Sequence, residues 1–251
     1  MPIPEASEAP RHDFAAVTPG QWQALASRRI YFGHQSVGGN IADGIQEVLA
    51  AHPEIGLNLV LARTLDSASG PGLYHARIGT NGAPETKAAE FESIVSAGAP
   101  GVGALKYCYV DVTGDTDPDS LFASYQRRMA GLRERVPGLV VVHVTMPLVV
   151  LGEGRKDRLL NRLRGRATQR DLAAIRARYN ALLRQAYVGR EPVFDLARLE
   201  STRSDGSRAF FLRGGDTVHV LADEFTSDGG HLNAAGRRAA AEEFLALLAS
   251  L

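Results

Sequence analysis

Short apolar runs alternate along this chain with stretches in which apolar residues recur every three or four positions. Arg29 to Phe32 reads as a first strand, closed by Gly33. A helix follows from about Asn40 to Ala51, with Ile41, Ile45, Val48 and Leu49 on one face. Leu57 to Ala62 predicts a second strand. Pro84 then opens a helix, because a first-turn proline forfeits no hydrogen bond, and Phe91, Ile94 and Val95 give that helix its apolar side. Val102 to Val110 predicts a third strand. Asp117-Pro118 marks the next helix start, followed by Leu121, Phe122, Tyr125, Met129 and Leu132 at helical spacing. Leu139 to Val142, continuing to Thr145, is the β-branched run of a buried parallel strand. A helix from about Arg170 to Tyr187, a fifth strand from Val193 to Leu196 and a last helix from about Ala234 complete the pattern.

Five strands alternating with five helices predict an α/β protein, a three-layer α/β/α sandwich around a flavodoxin-like five-stranded parallel sheet. Ligands in such folds bind outside the carboxyl ends of the strands, which selects the loops after Phe32, Val110 and Leu196. Two long inserts break the rhythm. Leu148 to Gln169 is arginine-rich; Arg155 to Arg170 holds seven basic residues against one acid, Asp157, and reads as solvated surface or, less simply, as a lid attracting an acidic substrate. Within Ala197 to Ser227, Ala209 to Leu212, the Gly214–Gly215 turn and Thr217 to Leu221 form a hairpin pattern. Residues 1–14, rich in Pro, Ala and Glu, read as a disordered leader, and 15–251 as a single domain.

Composition narrows the function. Lys plus Arg and Asp plus Glu number 28 each, so no charge excess points to nucleic acid. No apolar run is long enough to span a bilayer. Cys108 is the sole cysteine, which rules out an intrachain disulfide and suits a buried small hydrophobe. The start lacks the basic and apolar segments of a secretory signal, which fits a cytoplasmic chain or a secreted or periplasmic one without its signal. The seven histidines form no metal-ligand spacing and no phosphate-binding loop is present, so neither a metal nor a cofactor is expected.

Two segments carry chemistry. In Gly33-His34-Gln35-Ser36-Val37-Gly38-Gly39 a serine sits just past a strand and just before a helix, where backbone N–H groups favour negative charge. A glycine-rich turn joining strand to helix is the plain alternative. In Asp228-Gly229-Gly230-His231-Leu232-Asn233 a carboxylate three residues before a histidine can orient the imidazole, while Asn233 and Asp228 also suit a helix cap and a turn.

A serine after the first strand combined with Asp-x-x-His before the last helix resembles the SGNH/GDSL hydrolase family, over about Arg29 to Leu251. The resemblance implies ester hydrolysis through an acyl-enzyme on Ser36, with His231 as base and Asp228 as its partner. The substrate it implies is a small-molecule or carbohydrate ester. RARYNALLRQAY followed by VFDLA looks like the family's penultimate helix and strand, and Gly79 in IGTNGAPET matches the second-block glycine. Two departures stand out. The first block reads Gly-His-Gln-Ser instead of Gly-Asp-Ser, and Val110 occupies the place of the third-block asparagine that donates to the oxyanion. An oxyanion hole of Ser36, Gly79 and Asn81 is then expected, with Gln35 as a rival donor. Other readings are an acyltransferase with the same triad, a non-catalytic binding module and a nucleotide-binding protein. An α/β-hydrolase fits less well, because His34 stands where its elbow needs glycine. Lys106, inside an apolar strand, reads as paired or snorkelling at the strand's end.

Overall fold

The computed structural model describes residues 3–4, 6–66, 69–152, 154, 160–161 and 163–251. The central sheet is wholly parallel and holds six strands: β1 Arg29–His34, β2 Leu59–Leu61, β3 Gly72–Arg77, β4 Val102–Leu105, β5 Val140–Val144 and β6 Val193–Phe194. Their order is β2-β3-β1-β4-β5-β6. The strand expected from Leu57 to Ala62 is the short edge β2. The sheet has one strand more than the pattern predicts. β3 reads Gly-Leu-Tyr-His-Ala-Arg, without the apolar run or clean alternation that marks a strand, and its pairing with both β1 and β2 creates it.

Alternation along β1 shows why both faces must be covered. Ile30 and Phe32 join a core with Val142, Val144 and Phe194, under helices α1 (Pro19–Ala26), α2 (Val37–Ala51) and α7 (Ala234–Ala249). Tyr31 points the other way, into a core with Leu105, Val141 and Val193, under α3 (Pro84–Gly98), α4 (Pro118–Arg135) and α5 (Gln169–Tyr187). Helix α2 buries Ile41, Ile45 and Val48, the stripe expected of it. Asp117 caps α4 with Pro118 in its first turn, as the sequence predicts. After β6 the chain turns directly into α6 (Leu196–Ser201), capped by Asp195, so the fifth predicted strand is cut short. The hairpin is present as antiparallel β7 (Phe210–Arg213) and β8 (Asp216–His219).

Three expectations are corrected. Strand β4 ends at Leu105, not Val110: the chain runs on through buried Lys106 to Cys108 and closes a 3-10 turn at Tyr109–Asp111, where the Asp111 carboxylate accepts the Cys108 N–H at 2.7 Å. Residues 6–14 do not behave as a free leader. Ala9 is buried, its N–H donates to Asp195, and Glu8 pairs with Arg208. Lys106, read as paired or snorkelling, has hydrogen-bond partners and does not snorkel. It is fully buried and donates to the Tyr107 carbonyl and the Cys108 sulfur. The basic insert expected as surface or lid falls partly on residues 155–159 and 162, outside the described residues.

Among the charged side chains that the fold buries besides Lys106 are Arg176 and Glu200. Burial pushes the Glu200 carboxyl up to about 8, against the opposing pull of the Leu148 N–H, Lys106 and Arg176. In the unfolded chain the same group titrates near ~4.3. Between those values the folded state holds a proton that the unfolded state has lost, so this group's contribution falls as pH rises from about 4.5 to 8. Glu200→Gln keeps an acceptor for Leu148 and removes the titration. The stability of the variant relative to the parent should therefore climb between pH 5 and pH 8.5, measured by urea midpoints. An equal difference at both pH values would show that Glu200 does not titrate in this window.

Candidate active site

Ser36 stands where β1 has ended and α2 begins. Its backbone is at φ 51°, ψ −114°, a conformation that costs a non-glycine residue about 1–3 kcal/mol and that clusters at functional sites. The turn that imposes it is tightly packed. A side chain on Gly38 would lie 2.3 Å from the His34 Cβ, so only glycine fits at that position in the first turn of α2. The result places the Ser36 hydroxyl at the carboxyl end of the sheet with the helix N-terminus behind it.

The second segment reaches the same point from 195 residues away. Ser36 Oγ lies 2.7 Å from His231 Nε2. His231 Nδ1 lies 2.7 Å from Asp228 Oδ2. The other carboxylate oxygen, Oδ1, accepts the N–H groups of Gly230 at 2.9 Å and His231 at 2.8 Å. Those amides, the His231 N–H first, hold the Asp228 carboxyl far below the usual carboxylate range even though the group is exposed. An ionised Asp228 can only accept, which places the imidazole proton on Nδ1 and leaves the Nε2 lone pair to accept from Ser36. Asn40 on α2 ties the two segments together, its Oδ1 accepting the Leu232 N–H at 3.2 Å. Asn233 caps α7, accepting from the Gly236 N–H, so the segment serves as helix cap and as partner of Ser36 at once.

The expected donors behave differently from one another. The Gly79 N–H is taken by the Glu90 carboxylate at 2.8 Å, so Gly79 does not supply the oxyanion donor expected of it. Its place in the fold is steric: at φ 59° a side chain there would meet the Lys87 backbone at 2.5 Å. Gln35 spends its amide donors on the carbonyls of Ile78 and Gly79, at 3.2 and 3.0 Å. Asn81 lines a cavity of ≈ 300 Å³ together with Gln35, Ser36, Gly39, Asn40, Asp43, Arg77 and His231. Its Oδ1 accepts from Lys87 Nζ at 3.0 Å. A lysine only donates, so this contact fixes the amide and leaves its NH2 group unspent.

Lys87 is itself fully buried and paired with Asp111 at 2.6 Å. Asp111 lies in the turn after β4, next to Val110, the position at which the resemblance implied an asparagine. That turn thus reaches the cavity indirectly, through Lys87 to Asn81. Sequence reading passed over Lys87 because a lysine in the first turns of a helix reads as surface.

Tyr109 is the other residue it passed over. Its hydroxyl interacts with Ser36, and burial raises its pKa. Its ring meets His231 edge-on, with centroids 6.1 Å apart, and its hydroxyl packs over Gly230. Cys108, expected as a buried hydrophobe, is buried and donates weakly to the Gln35 carbonyl at 3.4 Å. A larger groove of ≈ 1420 Å³ lies between the Val112–Pro118 loop, α5 and the hairpin, but its walls contain none of Ser36, Asp228 and His231. Among the described residues no cluster of His, Cys, Asp and Glu could hold a metal ion, and no helix is long and apolar enough to cross a membrane.

No protein-family model and no curated protein matches this sequence. Solved structures do match its fold. A protein from Parabacteroides merdae described as GDSL-like lipase superposes with a TM-score of 0.54 at 11% identity, covering 88% of this chain and 95% of that one. The lipase/acylhydrolase from Enterococcus faecalis gives 0.50 at 16% identity, over 89% and 94%. An acetyl xylan esterase gives 0.50 at 18% identity, over 86% and 96%. The chain therefore has the α/β/α fold of the SGNH/GDSL hydrolases, with a six-stranded parallel sheet at its centre.

Proposed function

We propose that this protein is a serine hydrolase of ester bonds, with Ser36 as nucleophile, His231 as general base and acid, and Asp228 holding the imidazole. The observation that carries the reading is the unbroken relay from Asp228 Oδ2 through His231 to Ser36 Oγ, with both contacts at 2.7 Å. Ser36 Oγ attacks the ester carbonyl and passes its proton to His231 Nε2. Asp228 stabilises the imidazolium, which then protonates the departing alcohol. Water, activated by the same imidazole, attacks the acyl-enzyme and releases the acid. The tetrahedral oxyanion is met by the Ser36 N–H at the start of α2 and by the amide of Asn81.

The cavity beside Ser36 narrows the substrate. Its described walls carry no aliphatic or large aromatic side chain, only glycine, amide, charged and hydroxyl groups and the His231 ring. At ≈ 300 Å³ it lies at the low end of small-ligand sites. A short, polar ester, such as a carbohydrate O-acetyl group, fits such walls better than a long acyl chain. An already assembled triad also speaks against a non-catalytic binding module, for which the strain at Ser36 would have no use.

The direct test is covalent. A serine-reactive phosphonate should attach to Ser36, located by peptide mass spectrometry, and the adduct should vanish in Ser36→Ala. Attachment at another serine, or none with the folded protein, would remove the assignment.

A further inference from the structure

Arg77 ends β3, opposite His34 in the register with β1. That placement puts it at the carboxyl edge of the sheet, in the wall of the same cavity as Ser36, Asn81 and His231. Arg77 is the sole lysine or arginine among the described residues of that wall. One guanidinium nitrogen sits 3.7 Å from where a side chain on Gly39 would begin, so the glycine leaves the space beside it open. Many arginines of this protein are spent on carboxylates: Arg63 on Glu90, Arg128 on Glu85 and Glu92, Arg184 on Asp195, Arg237 on Glu47. The Arg77 guanidinium has no hydrogen bond or ion pair with any described residue, although Asp43 lines the same cavity. The neighbouring rings of His34 and His75 do not share its charge, because burial lowers the pKa of both.

A guanidinium left unpaired at the mouth of a small polar cavity has its planar set of donors available for a ligand. Carboxylate and phosphate match that fork with two parallel hydrogen bonds. We infer that Arg77 is a specificity residue and that the substrate is an ester carrying a carboxylate or phosphate group within reach of its scissile carbonyl. This rests on the serine-esterase reading and adds to it the charge of the substrate. Asp43, on the same wall, opposes anions placed beside it and accepts hydroxyl hydrogens, so the anion binds on the Arg77 side. Arg77 touches the anion, not the reacting atoms, so its contribution is expected in kcat/KM through KM.

Three matched pairs test this on the full chain. O-acetyllactate against its methyl ester places a carboxylate on the alcohol side. 4-Nitrophenyl succinate against 4-nitrophenyl methyl succinate places it on the acyl side. Acetylglycerol phosphate against acetylglycerol supplies phosphate. At low salt the anionic member of at least one pair should be preferred at least tenfold in kcat/KM. Arg77→Gln should collapse that ratio towards one, mainly through KM, and Arg77→Lys should restore part of it. The preference should also weaken with added salt, because the contact is close to solvent. Equal rates within all three pairs, or a preference that survives Arg77→Gln, would overturn the inference while leaving the hydrolase reading intact. If no ester, including 4-nitrophenyl acetate, is turned over, the hydrolase reading fails and binding decides separately. Lactate, succinate or inorganic phosphate should then bind the parent protein at least tenfold more tightly than Arg77→Gln in an NMR titration, and equal or absent binding would overturn the inference on its own.

Discussion

His231→Ala is expected to lower kcat by roughly 10³-fold or more, with the protein still folded. The size follows from what the imidazole does here. In the proposed mechanism it takes the Ser36 proton in attack and returns it in breakdown, and the contact is already 2.7 Å. Without it the hydroxyl must attack unaided, and the residual rate comes from the oxyanion donors and binding alone. Asp228→Asn should cost nearly as much, by a different route. An amide at position 228 can donate to the ring as well as accept from it, so the proton is no longer held on Nδ1 and Nε2 is no longer a dependable acceptor. Because Asp228 is exposed and its partners lie within its own loop, neither change should remove much stability. Steady-state kinetics with a 4-nitrophenyl ester, beside thermal unfolding of each variant, measures both. Near-normal turnover by folded His231→Ala would rule out the mechanism.

Asn81→Ala should lower kcat by roughly 10²–10³, equivalent to about 3–4 kcal/mol of transition-state stabilisation, and change KM far less. The two other donors that the sequence suggested are engaged elsewhere: the Gly79 N–H is bound to Glu90 and the Gln35 amide to two carbonyls. Asn81 lines the cavity with its NH2 group free, because Lys87 claims its oxygen. Asn81→Asp separates donation from turn geometry. An aspartate keeps the acceptor for Lys87 and deletes the donor, so it should lose as much turnover as alanine while folding normally. If either folded variant keeps full kcat, Asn81 only shapes the turn, and Tyr109, beside Ser36, becomes the donor to examine. Lys87 should not be tested by simple truncation. It is half of a fully buried ion pair, and removing one partner of such a pair typically costs about 3–5 kcal/mol of stability.

The proposed catalytic residues stand out in the sequence because each belongs to a local pattern. Ser36 is marked by glycines between a strand and a helix, and Asp228 with His231 by three-residue spacing before a helix that Asn233 caps. The contact between the two segments is made by this fold, which sets the turn after β1 against the loop before α7. Five of the helices were legible for the same reason, since Asp117-Pro118 and the Ile41, Ile45, Val48 stripe are local signals, whereas α1 and α6 were not predicted.

What the sequence could not decide is where individual hydrogen bonds go. Gly79 looked like a donor by position, and only the fold shows Glu90 reaching its N–H from α3. Val110 looked like a missing function, and only the fold shows Asp111, one residue on, holding Lys87 and through it Asn81. Residues 6–14 looked unstructured because their composition is, yet Asp195 and Arg208 on distant elements hold them.

The same division explains β3. Its residues include a histidine and an arginine and make no apolar pattern, so pairing with β1 and β2, not local preference, makes it a strand. That strand delivers Arg77 to the cavity. The sequence by itself marked the proposed nucleophile, base and acid, because each lies in a short segment with its own local signal. Only the tertiary structure shows that the Gly79 N–H and the Gln35 amide are engaged while the Asn81 NH2 is not, because that depends on which of many polar groups the packing leaves unpaired.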